Sequence, residues 1–215
     1  MQIKGFDIVS IRQYVNQQLN LTTPIQDNSD VVTNDVLNIA LERLSTCINA
    51  VRFWEPNIFN PLQSSQYATF LYFLSNTLWK MKGEEKGPTR LFLLNKMLNG
   101  IDCFYEIELP TKFFIGHSNG IVLSKAHYGE RFVIYQNSTI GKNHDFSPTI
   151  GSDVIVYPNS AILGKTVVGN NVVVSQGTTI LDSVVHSNKY VFQTIGRDFM
   201  QVANNDALIN YYFRN

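Results

Sequence analysis

The chain has 215 residues and is 44% hydrophobic, enough for one large domain or two small ones with a sizeable core. Seventeen Lys and Arg balance seventeen Asp and Glu, which leaves no basic field for nucleic acid or an anionic membrane. Two cysteines without metal-type spacing (Cys47 and Cys103), no signal-like apolar run at the start and no stretch of 18 apolar residues point to a reduced, cytoplasmic protein without a membrane span.

Residues 1–32 are mixed and rich in Gln and Asn, and read as a short capping element or an irregular arm. From Thr33 a helix is expected, capped by Asn34 or Asp35. Its stripe is Val36, Ile39, Ala40, Leu44, Cys47, Ile48 and Val51, and it ends near Trp54–Pro56. A second helix starts at Ser64 or Ser65 and carries Tyr67, Phe70, Leu71, Leu74, Leu78, Trp79 and Met81 as packing surface. Lys80–Gly87 reads as a solvated, mixed-charge turn. Pro88 suits the first turn of a third helix, Thr89–Leu98, which Asn99-Gly100 stops. Residues 101–115 switch to β-type content, with a domain boundary near Pro110. The expected division is a helical domain over 1–110, a repeat domain over 111–200 and a tail over 201–215.

In the second half a six-residue rhythm takes over. Ile150, Val156, Ile162, Val168, Val174 and Ile180 stand at every sixth position. Four residues after each come Val154, Ser160, Thr166, Val172, Thr178 and Val184, all small or β-branched. Neither a helix nor a strand alternation has this period. It marks a parallel β-helix with three short faces per coil. In phase, the rhythm extends backwards through Val122, Tyr128, Ile134 and Ile140, giving eleven hexads from Gly116 and almost four coils. Ten residues stand in place of six between Ile140 and Ile150, a four-residue insertion. Gly, Asn, Asp and Ser gather between the aliphatic positions, as tight corners require. The interior column is too narrow for a ligand, so any site lies outside the prism. The aromatic, Asn-rich tail past residue 186 leaves the rhythm and is expected to fold back as a short helix. The fold class is α+β: a helical module followed by a β-helix.

A helical module followed by such hexads resembles the hexapeptide-repeat acyltransferases, the serine acetyltransferase branch in particular, from Ser64 to about Arg197. The resemblance is carried by Phe114-Ile115-Gly116-His117-Ser118-Asn119-Gly120-Ile121-Val122 and by Ser147-Pro148-Thr149-Ile150-Gly151. The family's first segment reads Asp-His-x-x-Gly-Ile-Val, and its histidine, the catalytic base, maps onto His117. The second reads Arg-His-Pro-x-Ile, with another active-site histidine. Two departures stand out: Gly116 replaces the Asp, and Phe146-Ser147 replaces the Arg-His pair. In the family those charged positions hold the amino and carboxyl groups of serine. The acceptor implied here is therefore not a free amino acid. The pattern looks more like the serine-acetyltransferase-like enzymes of bacterial surface-polysaccharide loci, which acetylate sugar hydroxyls of capsule, lipopolysaccharide or their precursors. The resemblance also implies a left-handed coil, acetyl-coenzyme A as co-substrate with no metal, and a homotrimer with sites between subunits. Pairing of trimers through the helical module is a further option.

Acetyl transfer from a thioester to a hydroxyl needs a base, an oxyanion donor and the coenzyme that brings the carbonyl. An imidazole, with an ordinary pKa of about 6.5, suits the first task. His117 is the foremost candidate, in an outward slot among small residues. His144 lies in the insertion, three residues before the family's second histidine slot; it either replaces that histidine or is a solvated loop residue. Asp145 and Ser147 are expected to meet the carbohydrate acceptor with it. His127 and His186 read as structural. Glu106 and Glu108 could orient His117. By resemblance the coenzyme runs along the solenoid edge on backbone amides near Tyr157-Pro158, Gly164 and Gln176-Gly177, with Lys165 and Arg197 for its phosphates. His117 begins the first face of one coil, whereas the insertion follows the second face of the next. A joint site then takes His117 from one chain and the 142–148 loop from its neighbour. Serine O-acetyltransferase of cysteine biosynthesis, N-acetylation of an amino sugar, and an inactive β-helix scaffold stand as the alternatives.

Overall fold

The computed structural model describes residues 1–24, 30–194, 199–204 and 206–214. The N-terminal segment is not an arm: β1 (Gln2–Ile3) leads into a helix, α1 (Ile8–Thr22). The Asp7 carboxylate accepts the Ser10 N–H (2.7 Å) and the Ser10 hydroxyl accepts the Asp7 N–H (2.9 Å), a reciprocal cap. Ile11, Val15 and Leu19, spaced by four, bury one face. Polar Gln and Asn between them masked that stripe.

Next come α2 (Asn34–Ala50), β2 (Ile58–Phe59), α3 (Ser64–Lys82) and α4 (Lys86–Asn99), with β1 paired in parallel to β2. α2 stops at Ala50, short of Trp54. The turn expected over Lys80–Gly87 contracts to three residues, because α3 and α4 extend into it from both sides. α4 ends at Gly100 in the left-handed conformation (φ 64), as the Asn-Gly pair requires. α3 is buried from Ser65 to Leu78 and anchors the lead into the solenoid. The Tyr72 hydroxyl donates to the Ile107 carbonyl (2.8 Å) and accepts from the Leu109 N–H (2.9 Å), and Asn76 donates to the Tyr105 carbonyl (2.8 Å).

The solenoid has three faces. Face one stacks β4 (Phe113–Gly116), β7 (Phe132–Tyr135), β10 (Val154–Val156), β13 (Val172–Val174) and β16 (Lys189–Phe192). Face two stacks β3 (Ile101–Cys103), β5 (Ile121–Leu123), β8 (Thr139–Gly141), β11 (Ala161–Leu163) and β14 (Thr179–Leu181). Face three stacks β6 (His127–Tyr128), β9 (Thr149–Ile150), β12 (Val167–Val168) and β15 (Val184–Val185). These pairings are parallel; β17 (Met200–Ala203) closes face one as an antiparallel strand.

The register measures each coil. Val154 pairs with Val172 and Ala161 with Thr179, so a regular coil is 18 residues. Pairs spanning the insertion, Val133 with Ile155 and His127 with Thr149, lie 22 apart, which is the expected four extra. Buried columns follow: Ile115, Ile134, Val156, Val174 and Val191 on face one, and Leu123, Ile140, Ile162 and Ile180 on face two. Two expectations of phase need correction. The step from Ile115 to Leu123 is two residues longer than a hexad, so Leu123 points inward and Val122 is 40% exposed. The last coil is one residue short, so Val185 takes the column and Val184 is turned out, 56% exposed.

Face one is apolar on its outer side as well. Phe114, Val133, Ile155 and Val173 alternate with the inward columns, yet all are buried. The C-terminal segment covers this side: a 3-10 turn over Leu208–Tyr211 is followed by Tyr212, whose ring packs on Phe114 and Tyr135. Arg214 then locks the segment to the helical module. Its guanidinium donates to the carbonyls of Asn49 (3.1 Å), Val51, Arg52 (3.2 Å) and Trp54 (2.6 Å), acceptors left over where α2 ends. Two substitutions test this account by urea unfolding. Ile162→Ala, which opens the inward column between Ile140 and Ile180, is expected to cost about 3 kcal/mol. Arg214→Ala is expected to cost about 2 kcal/mol through loss of charged hydrogen bonds.

Candidate active site

Every coil turns three corners, and the stacked corner residue in the left-handed region is usually Asn, Asp or Gly. Asn137, Asn159 and Gly177 fill it between faces one and two, Gly164 and Asp182 between faces two and three, and Asp153, Asn171 and Asn188 between faces three and one. His117 and His144 also have positive φ (53° and 51°), but they stand where the chain is longer than its repeat. His117 opens the two-residue expansion after β4; His144 tips the insertion after β8. Both side chains are exposed. Histidine tolerates this conformation better than most L-residues, at a cost of about 1 kcal/mol.

His117 lies at the corner between faces one and two. The next residue, Ser118, is buried, and Gly120 hydrogen-bonds back to the Gly100 carbonyl (2.9 Å), which holds the expanded corner against the end of α4. Gly116 pairs with Tyr135 one coil on, and the tyrosine ring lies across it: a Cβ on Gly116 would sit 2.4 Å from Tyr135 Cε1. The ring of Tyr135 is 6.3 Å from that of His117 and stacks on Tyr157 (5.7 Å, 27°). The Tyr135 hydroxyl donates to Tyr212 (3.2 Å), which donates to Tyr157 (3.4 Å). Burial first, then its hydrogen bonds with Tyr135 and Tyr157, pushes the Tyr212 phenol far above its ordinary range, so it stays protonated. Pro158, Gln176 and Gly177 continue the same corner in later coils.

The insertion occupies the other edge of face two. Asn143 and Phe146 exchange backbone hydrogen bonds (3.0 and 3.2 Å), a tight turn that displays His144 and Asp145. Asp182, two coils later, clamps this turn: it accepts from Asn143 Nδ2 (3.0 Å) and from the Lys165 N–H (2.7 Å). Lys165 Nζ hovers 5.5 Å from the exposed Phe146 ring. Ser147 is part-buried beside it. The residues singled out in the sequence therefore fall into two lines. His117, Tyr157, Pro158, Gln176 and Gly177 follow one edge of face two. His144, Asp145, Ser147, Gly164 and Lys165 follow the other.

Several expectations change. Glu108 pairs with Lys80 (2.6 Å) and Glu106 with Lys125, so both carboxylates are engaged by lysines rather than by His117. The backbone amides expected to bind the coenzyme are used within the solenoid. Tyr157 donates to Val174 (3.0 Å), Gly164 to Gly141 (3.0 Å) and Gly177 to Pro158 (3.0 Å). Pro158 has no N–H to give. Arg197 lies outside the described residues. His127 and His186 are exposed at the edge of face three and just past it. Tyr135 and Asp182 are the residues that sequence reasoning missed; Tyr135 recurs as Tyr157 at the 22-residue register, a signal visible once the insertion is counted. Among the described residues no group of three or more His, Cys, Asp or Glu is placed to hold a metal, and no helix is long and apolar enough to cross a membrane.

Residues 147–182 match the family described as bacterial transferase hexapeptide (six repeats). A serine acetyltransferase of Synechococcus elongatus is 30% identical over 105 residues, 45% of this chain and 42% of that one. A serine acetyltransferase of Staphylococcus epidermidis is 29% identical over 126 residues, 55% of this chain and 57% of that one. The chain thus spans about half the length of the curated relatives it matches. The crystal structure of a serine acetyltransferase from Brucella abortus superposes with a TM-score of 0.72 at 20% identity, over 93% of this chain and 85% of that one, which establishes a common fold. The resemblance read from the sequence, to hexapeptide-repeat acyltransferases on the serine acetyltransferase side, stands.

The clamp on the insertion can be tested directly. Asp182→Ala removes both hydrogen bonds to its base, and amide hydrogen exchange at Asn143 and Phe146 is expected to accelerate about tenfold, the equivalent of one hydrogen bond's net worth. Exchange at the Lys165 N–H, which loses its Asp182 acceptor, should rise as well, and exchange elsewhere in the solenoid should be unchanged.

Proposed function

We propose that this protein is an acetyl-coenzyme A-dependent O-acetyltransferase in which His117 is the general base. The observation that carries the reading is an exposed histidine, held in the left-handed region at an expanded solenoid corner, in the segment that matches the base of the acyltransferases. In the reaction the His117 imidazole takes the acceptor's hydroxyl proton as the oxygen attacks the thioester carbonyl. The new ester C–O bond forms, the C–S bond breaks, and the proton passes to the departing thiolate. The coenzyme is a co-substrate and brings the activated acetyl group.

Two acceptors are supported by different observations. The two serine acetyltransferases matched in sequence and the Brucella abortus structure favour L-serine over the sugar read from the sequence. Gly116 beside His117, and Phe146-Ser147 on the insertion, favour a neutral polyol such as a surface-polysaccharide sugar, since they offer no charged pair for an amino acid. The two lines of residues on opposite edges of face two support a ring of three chains. In that ring His117 of one copy faces the 142–148 loop of the next.

Release of free coenzyme A, followed with L-serine and with a panel of sugars, measures both points. His117→Ala is expected to lower turnover about 100-fold or more with whichever acceptor is used. An unchanged rate in a folded variant would end the assignment. Cys47 and Cys103 are both buried, so the protein's own thiols do not interfere with the readout.

A further inference from the structure

We infer that Tyr135 sets acceptor specificity, by filling the space beside His117 with an uncharged ring and so selecting an acceptor that is neutral where it meets this wall; this rests on His117 being the base. Gly116 has no room for a side chain. Its Cβ would lie 2.4 Å from Tyr135 Cε1 and 2.6 Å from Cδ1, distances no side chain can hold unless the ring moves away. The ring is pinned against such a move. Gly116 and Tyr135 are locked in register on adjacent strands. Tyr157 stacks on the ring from the next coil. Its hydroxyl is tied to Tyr212, a residue 2% exposed. Tyr212 in turn is held by the C-terminal segment that Arg214 fastens to the end of α2.

Gly116 and Tyr135 are therefore a matched pair. An acidic side chain at 116 and a phenol ring at 135 exclude each other, and this chain has the ring. What stands next to His117 is a phenol ring, centred 6.3 Å from the imidazole and linked through its hydroxyl to those of Tyr212 and Tyr157. Such a wall offers hydrogen bonds and apolar contact but no negative charge for an ammonium group. The substrate class it fits is a neutral polyol ring, a pyranoside.

The test exchanges the pair. Gly116→Asp with Tyr135→Ala clears the ring and supplies a carboxylate from the original strand; Tyr135→Asp supplies it from the adjacent one, should the first variant fail to fold. Saturation-transfer NMR on the full chain with acetyl-coenzyme A present would use methyl pyranosides and L-serine as probes, alongside kcat and KM for each. The unchanged protein is expected to bind pyranosides in preference to L-serine. Either exchange is expected to shift the binding and kcat/KM ratio at least tenfold towards L-serine, mainly through KM. Tyr135→Phe, which keeps the ring, is expected to shift it less than threefold. Failure of the unchanged protein to bind any pyranoside, or a ratio unmoved by both exchanges, overturns the assignment of Tyr135. His117→Ala separates the two readings. It should lower turnover about 100-fold or more while leaving the binding preference intact; full rate in this variant removes the base on which the assignment of Tyr135 rests, whereas loss of rate together with a ratio unmoved by both exchanges removes Tyr135 alone.

Discussion

The backbone ladder between coils governs the rest of this structure. Each face is a stack of two- to four-residue strands paired in parallel with the coils above and below. Side chains on the columns stay in register only while each coil keeps close to 18 residues. A coil that gains residues cannot absorb them in a strand, because a shift of one would turn every inward side chain out. Extra length is therefore expelled at a corner, and the longest departures are the two sites of His117 and His144. Where the coil is one residue short, the effect is smaller: Val185 continues the column of Ile150 and Val168, and Val184 turns outward beside Val167. The candidate histidines stand where the repeat is broken, since there the chain leaves the column.

That also explains what could be read from the residues alone. The period of six survives inspection because the inward columns demand aliphatic side chains, and the four-residue insertion appears as an interruption of that demand. The expansion around His117 is harder to see. Gly116 and Val122 satisfy a six-residue count by chance, while Ile115 and Leu123 are the residues that face inward. Both adjacent choices are apolar or small, so composition cannot decide the phase. α1 escaped for a related reason: its buried stripe, Ile11, Val15 and Leu19, is narrow and set among Gln and Asn, and its start depends on a two-residue hydrogen-bond exchange at Asp7 and Ser10. The fate of Glu106 and Glu108 was beyond sequence reasoning altogether, because their lysine partners come from α3 and from the first coil's corner.

The C-terminal segment gives face one a different character from its neighbours. Faces two and three leave Leu181, Val167 and Val184 open on their outer sides, whereas Val133, Ile155 and Val173 on face one are sealed. This seal links three parts of the chain that the repeat keeps apart: the end of α2 through Arg214, the outer side of face one through Tyr212, and the expanded corner through Tyr135. A substitution far along the chain, at Arg214, can thereby loosen the ring that stands beside His117.

The position of the two residue lines follows from the same bookkeeping of coil length. An expansion after β4 and an insertion after β8 place their histidines at opposite edges of face two, separated by the width of a strand layer that neither short excursion crosses. Moving both excursions to one corner would bring the histidines together within a single chain. Adding a full hexad to either would instead shift it to another edge. The observed lengths, two and four residues, do neither: they raise a side chain outward at each edge and leave the face between them flat. In the proposed ring of three, one edge of each copy meets the other edge of the next. Every junction then receives one His117 and one insertion, so a chain that cannot complete a site alone supplies both halves of different ones.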